Sequence, residues 1–150
     1  MSDIFSKIVG VILAFILSVL TPYTINTMVD DMVARRSIIN EMSMFIDEVI
    51  DTGKITDQQM ADFQLGCNSY GPVVQIEVRR YVKTIDPDPA NPGGTYTTYV
   101  MSDDNTKYNQ GDHIQVTVST VGYTGAQRLV MATVGMLTPK FECTLAGRVR

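Results

Sequence analysis

From residue 8 to residue 29 the chain carries no charged side chain. The run opens with a dense apolar block at 8–20 and softens from Thr21 onward. An uncharged apolar stretch longer than about 18 residues is a candidate membrane-spanning helix. Here the periodic apolar pattern outlasts it. Ile25, Met28, Val29, Met32, Ile39, Met42, Phe45, Ile46, Val49 and Ile50 fall at spacings of three and four. They predict one amphipathic stripe. Asp30, Asp31, Arg36, Glu41, Asp47 and Glu48 lie mostly off it, and Gly53 is placed to cap the end. Pro22 falls inside the pattern, where a missing N–H and a ring clash predict a kink or a local unwinding. Roughly fifty helical residues at 1.5 Å each make a rod of about 75 Å. A domain built from the remaining hundred or so residues can cover only part of that length, so the other part needs different partners.

The first seven residues carry Lys7, Asp3 and the terminal amine, a weakly positive leader. The sequence Leu17-Ser-Val-Leu-Thr-Pro22 lacks the small residues of a signal-peptidase site, so the apolar segment is expected to be retained and structural. Lys7 on one side and Arg35-Arg36 on the other leave the charge count balanced. The Thr-, Tyr- and Asn-rich remainder favours an arrangement with the N-terminus inside and the bulk outside.

A net charge of −4 and a pI near 4.8 exclude the basic stripe that nucleic-acid binding needs. Arg35-Arg36 and Arg79-Arg80 are isolated pairs, read as lying on solvated helix or strand faces. The two cysteines, Cys67 and Cys143, stand 76 residues apart (143 minus 67). A bridge across so long a loop would stabilise by roughly 3–5 kcal/mol in the chain-entropy model. Two buried free thiols are the other reading. An extracytoplasmic location favours the bridge. There is no C-x-x-C, so neither a redox motif nor a zinc site is indicated.

Behind the helix, Thr56-Asp-Gln-Gln59 has capping-box spacing and predicts a short helix ending near Gly66, with Met60, Phe63 and Leu65 inward. The rest reads as strands. Val74, Ile76, Val78 and Val82 alternate with Gln75, Glu77, Arg79, Tyr81 and Lys83, with Arg80 as the exception. The Pro- and Gly-rich stretch 86–94 is a loop, and 95–101 the returning strand. A polar loop at 102–112 leads to a strand through Ile114, Val116 and Val118, and Phe141, Cys143, Leu145 and Val149 mark the last strand. Residues 127–137 fit both periods and are read as a strand. The expectation is an α+β fold: a long N-terminal apolar and amphipathic helix (1–53), then a short helix and an antiparallel sheet (54–150) packed on its C-terminal half.

Active-site patterns are lacking: there is no G-x-S-x-G, Walker A, H-E-x-x-H or G-x-G-x-x-G. The single His113 sits at a strand start, as a solvated histidine does. Asp103, Asp104, Asn105 and Asp112 offer oxygens, as do Asp86 and Asp88, but the twelve-position calcium loop and its terminal Glu are missing. Met28, Met32 and Met42 lie on the helix stripe as packing residues. The expectation is no enzyme, no cofactor and no metal.

Taken together, the block 8–20, Pro22-Tyr23, the stripe to Ile50, the strands after Val73 and the pair Cys67 and Cys143 give an architecture that resembles the type IV pilin superfamily. Its TadE-like, pseudopilin-type members, with short leaders and an anchor-plus-sheet layout, are the nearer resemblance. The prepilin cleavage motif and the acid inside the apolar helix have no counterpart here. The resemblance implies a structural subunit of an extracellular helical filament, a homopolymer whose partners are other copies, the membrane before assembly and an assembly machinery. Ile8, Val11, Ile12, Phe15, Ile16, Val19 and Pro22 would then form the filament core. Asp3 would stand in for the missing acid by pairing with a neighbour's amine or with Lys7. The implied location is the membrane first and the cell surface after assembly. The alternative is a membrane-anchored accessory protein of a secretion or conjugation machine, whose sheet domain binds a partner outside the cytoplasm.

Overall fold

The computed structural model describes residues 2–91, 93–135 and 139–150, with side chains from residue 4 onward. Helix α1 (Ser2–Thr52) is followed by α2 (Asp57–Ser69), β1 (Val74–Pro87), β2 (Thr95–Ser102), β3 (His113–Thr120), α3 (Gly125–Val134) and β4 (Glu142–Arg148). The four strands make one antiparallel sheet in the order β2-β1-β3-β4. This is the expected α+β arrangement, a long apolar helix and an antiparallel sheet in contact with it. The chain divides into two compact units: the first part of α1, to Ala34, with α3; and Arg35–Gly122 with Lys140–Arg150.

The second unit holds the main hydrophobic core. Ile38, Met42, Phe45, Ile46 and Val49 of α1 recur every three or four residues and are buried. They meet Ile114, Val116 and Val118, the inward residues of β3. Each such side chain fully removed from water contributes roughly 1.5–3 kcal/mol. Of the expected stripe, Met42, Phe45, Ile46 and Val49 are buried, Ile39 and Ile50 are half-buried, and Ile25, Met28, Val29 and Met32 are exposed. Ile38, fully buried, belongs to the stripe as well.

Glycine decides how close the helix and sheet come. Gly147 of β4 faces α1, and a Cβ there would lie 2.6 Å from Ile50 Cδ1 and 2.7 Å from Ile46 Cγ2. Gly53 ends α1 at φ +64°, donating its N–H to the Val49 carbonyl at 2.8 Å. That is the expected left-handed cap.

Helix α2 begins as its capping box predicts. The Thr56 hydroxyl accepts from Gln59 N, and the Gln59 side chain accepts from Thr56 N. It runs on past Gly66 to Ser69. Phe63 stacks on Phe45 with ring centroids 4.5 Å apart, and Cys67 is buried. Leu65, expected inward, points to solvent. On a helix it lies two residues from both of those positions and so on another face.

Two strand boundaries depart from expectation. β1 continues to Pro87 and takes the first two residues of the expected loop at 86–94, because β2 pairs with it as far as Pro87↔Thr95. Residues 125–134 form a helix rather than a strand, and 136–137 lie outside the described residues. The signals for helix are Thr124-Gly-Ala-Gln127, a second complete capping box, and Gly135 as a left-handed C-cap at φ +69°.

At Gly147, valine is expected to lower stability by about 1–3 kcal/mol, with alanine costing less, because Ile46 and Ile50 must give way. Urea unfolding of the detergent-solubilised full chain, followed by tyrosine fluorescence, measures this. Equal midpoints for wild type and Gly147→Val would refute the close helix–sheet approach.

Candidate functional site

Residues 4–33 are the part of the chain that the fold leaves most exposed. Phe5, Val11, Phe15 and Met32 are each about 70% exposed, and Ile8, Ile12, Ile16 and Val19 around half. Leu13 and Leu17 on other faces are exposed to the same degree. An α-helix that is apolar on every side is stable only inside lipid or inside protein. α1 is long and apolar enough to cross a membrane, with none of its most apolar window buried within the chain itself.

All seven expected core residues, Ile8, Val11, Ile12, Phe15, Ile16, Val19 and Pro22, sit on this exposed segment. Lys7 is exposed too, one turn before Val11, and the side chain of Asp3 lies outside the described residues. The helix passes through Pro22 without the expected unwinding, and residues on both sides keep helical hydrogen-bonding states. Beside it, the Thr24 hydroxyl donates to the Thr21 carbonyl and the Thr27 hydroxyl to the Tyr23 carbonyl, each at 2.8 Å. These bonds go to the Thr21 and Tyr23 carbonyls and not to that of Ser18, the carbonyl that loses its i→i−4 donor at Pro22.

Helix α3 belongs to the same unit. A Cβ on Gly125 would come within 3.1 Å of Thr27 Cγ2, so the start of α3 lies close against α1. Ala126 and Gln127 are buried, and the Gln127 amide donates to the Pro139 carbonyl. The α3 contact with Thr27 was not anticipated, since it depends on 125–134 being helical.

In the other unit the polar residues are committed to architecture. Arg80, the exception in the alternation of β1, points inward and is only 7% exposed. Its Nη2 and Nε donate to Asp112 Oδ2 at 2.7 and 3.0 Å, and its Nη1 donates to the Asp104 carbonyl. Asp112 also accepts from the backbone N–H of Asn109 and of Lys83. Burial pushes the Asp112 carboxyl up. The Asn109, Arg80 and Lys83 hydrogen bonds and the Arg80 charge together outweigh it and hold the pKa below the usual carboxylate value. Asp104 accepts from the Thr106 N–H and hydroxyl, and those bonds hold its pKa low. Asp104 and Asp112, two of the acids considered as calcium ligands, thus tie down the loop between β2 and β3. Among the described residues no group of three or more His, Cys, Asp or Glu could hold a metal ion. His113 packs edge-on to Tyr99, with ring centroids 4.5 Å apart.

Cys67 and Cys143 are both free thiols, so the bridge is not formed. Both pack against the hydrophobic core, Cys67 buried and Cys143 half-buried. Burial, with the Glu41 charge second, pushes the Cys67 thiol up to about 11, and burial raises Cys143 as well. Burial and the raised pKa both disfavour the reactive thiolate at Cys67.

Comparison with protein families, with curated proteins and with solved structures finds no match.

Replacing Asp112 with Asn strands the buried Arg80 guanidinium and is expected to cost about 3–5 kcal/mol. Asp112 also fixes an acid dependence. Its folded pKa lies below the value of about 3.9 in an unfolded chain, so its stabilisation is complete above that pH. The stabilisation is lost as pH falls through the lower folded value. Urea midpoints from pH 7 down to pH 2 should show this loss in wild type and a smaller one in Asp112→Asn. Parallel acid profiles for the two would remove Asp112 as its source. Separately, Cys67 should resist maleimide at pH 8 until the protein is unfolded, and rapid labelling of the native chain at Cys67, located by peptide mapping, would contradict its burial.

Proposed function

We propose that this chain is a structural subunit of a pilus-like helical filament, held in a membrane by the first part of α1 before assembly and carried on the cell surface afterwards. One observation carries the reading: residues 8–23 carry no charge and are exposed on every side of the helix, while the sheet unit has a core of its own. A segment of that kind has two stable environments, lipid and a bundle of like helices, and a filament subunit uses them in turn.

Small positions on the segment favour the bundle as the final state. A Cβ on Gly10 would meet nothing within 4 Å, so the backbone there is open to a neighbouring helix. Close approach at small residues is how helices associate where lipid and protein are equally apolar. A lipid anchor, as in a membrane-bound accessory protein, needs only hydrophobicity and is indifferent to Gly10.

Gly10→Leu separates the two uses, because it keeps the segment apolar and fills the open position. The expected result by negative-stain electron microscopy without detergent is uniform fibres from wild type and few or none from Gly10→Leu, with membrane fractionation of the variant unchanged. Discrete wild-type particles that stay soluble only in detergent would end the filament reading and leave the anchor.

A further inference from the structure

The first part of α1 and helix α3 belong to one compact unit. From Ile4 to Tyr23 every residue of α1 is exposed. Thr24, Thr27 and Asp31 are the first to lose exposure, and their spacings of three and four put them on one face. The start of α3 lies against that face, since a Cβ on Gly125 would stand 3.1 Å from Thr27 Cγ2.

That level has a meaning for a helix that crosses a membrane. A hydrocarbon core of about 30 Å takes about 20 helical residues at 1.5 Å each. A span that begins between Ile4 and Ile8 therefore ends between Tyr23 and Thr27. Asp30 and Asp31, the first charges past the uncharged run, follow within about one turn. α3 thus starts at the height where acyl chains give way to headgroups.

The chain reaches this place by a detour. β3 and β4 are antiparallel neighbours, and Thr120 donates its N–H to the Phe141 carbonyl at 2.9 Å. Such strands need a connection of only about two to five residues. Residues 121–141 intervene instead, and they hold a helix with a complete capping box and a left-handed glycine cap. Long connections on a rigid scaffold are where binding surfaces concentrate.

The chemistry of this one fits lipid. Between Asp112 and Glu142 the sequence has no acid, in a chain whose net charge is −4. The stretches 86–94 and 102–112, by contrast, carry Asp86, Asp88, Asp103, Asp104 and Asp112. The one charge within α3 is Arg128, which is exposed. Leu129, Val130 and Met131 are half-buried, and Val134 is 61% exposed. A short apolar helix with a basic residue and no acid suits the surface of a membrane that contains anionic lipid. Apolar side chains enter the acyl boundary there, and the guanidinium meets phosphate.

We propose that α3 is a membrane-surface helix, resting in the headgroup region of the bilayer beside the point where α1 emerges. The inference rests on the membrane stage of the filament reading, and it adds a second lipid contact, distant in sequence from the first.

The chain has no tryptophan, so single-tryptophan variants of the full chain each report one place. Val134→Trp, Val11→Trp and Ile85→Trp, all at exposed positions, are reconstituted in vesicles of phosphatidylcholine and phosphatidylglycerol, with or without bromine on the acyl chains. Bromine quenches tryptophan emission on contact. The expected result is a loss of emission for Val11→Trp in the span and for Val134→Trp in α3, and none for Ile85→Trp in the other unit. Ala132→Trp, also at an exposed position, repeats the reading at a second place in α3. Adding Arg128→Glu to Val134→Trp should lessen its loss, and an unchanged loss would overturn the role given to the guanidinium. Quenching of Val11→Trp with none at Val134→Trp or Ala132→Trp would overturn the surface helix and leave the membrane reading standing. Quenching at neither helix would overturn both. Quenching of Ile85→Trp as strong as that of Val134→Trp would overturn a contact specific to α3.

Discussion

The helix–sheet seam at Gly147 is the contact on which the rest of the second unit depends. Ile46 and Ile50 occupy the space where a Cβ would be, and Ile38, Met42 and Val49 are closed off from water together with β3. That seam consumes only the end of α1. A helix of 51 residues spans about 75 Å at 1.5 Å per residue, while the buried positions from Ile38 to Val49 occupy some three turns of it. The apolar surface of residues 8–23 is left exposed, and the proposed function rests on that remainder.

Around the seam, polar chemistry serves to hold loops in place. Desolvating Arg80 and Asp112 is costly, and a pair of this kind stabilises a fold only when the other hydrogen bonds of both groups are satisfied. Here they largely are: Asp112 takes two backbone N–H groups besides the guanidinium, and Arg80 reaches the Asp104 carbonyl. The effect is to join the middle of β1 to the loop before β3, where β1 loses its β3 partner. Tyr108, from the same loop, lies beneath the Arg80 guanidinium, 5.4 Å from the ring centroid. Burial pushes the Tyr108 phenol up to about 12, so it stays neutral beside the ion pair.

Much of this was legible in the sequence because it is periodic or local. The uncharged run, the stripe through Met42 and Val49, the Thr56 capping box and the alternation of β3 each depend on spacings within a few residues. What escaped depends on distant partners. The extension of β1 to Pro87 required the position of β2, since Asp86 and Pro87 are poor strand residues by themselves. Arg80 broke the alternation for a reason supplied 32 residues away by Asp112. The misreading of 127–137 is different in kind: the Thr124 box and Gly135 were present, but a run apolar on both faces satisfied the strand period equally well. The separation of Cys67 and Cys143 in sequence could not decide their pairing, which depends on where α2 and β4 place the two sulfurs.

The exposed segment of α1 and the sheet unit meet different physical requirements. The sheet unit closes its own core, because Ile38 to Val49 of α1 and the inward residues of β3 bury one another. The segment at 8–23 is exposed, and lipid or like helices satisfy its apolar surface equally well. Hydrophobicity alone therefore does not choose between an anchor and a bundle. The choice falls to shape: where lipid and side chains are equally apolar, helices associate through small residues that let their backbones approach, and Gly10 is such a position within the apolar block.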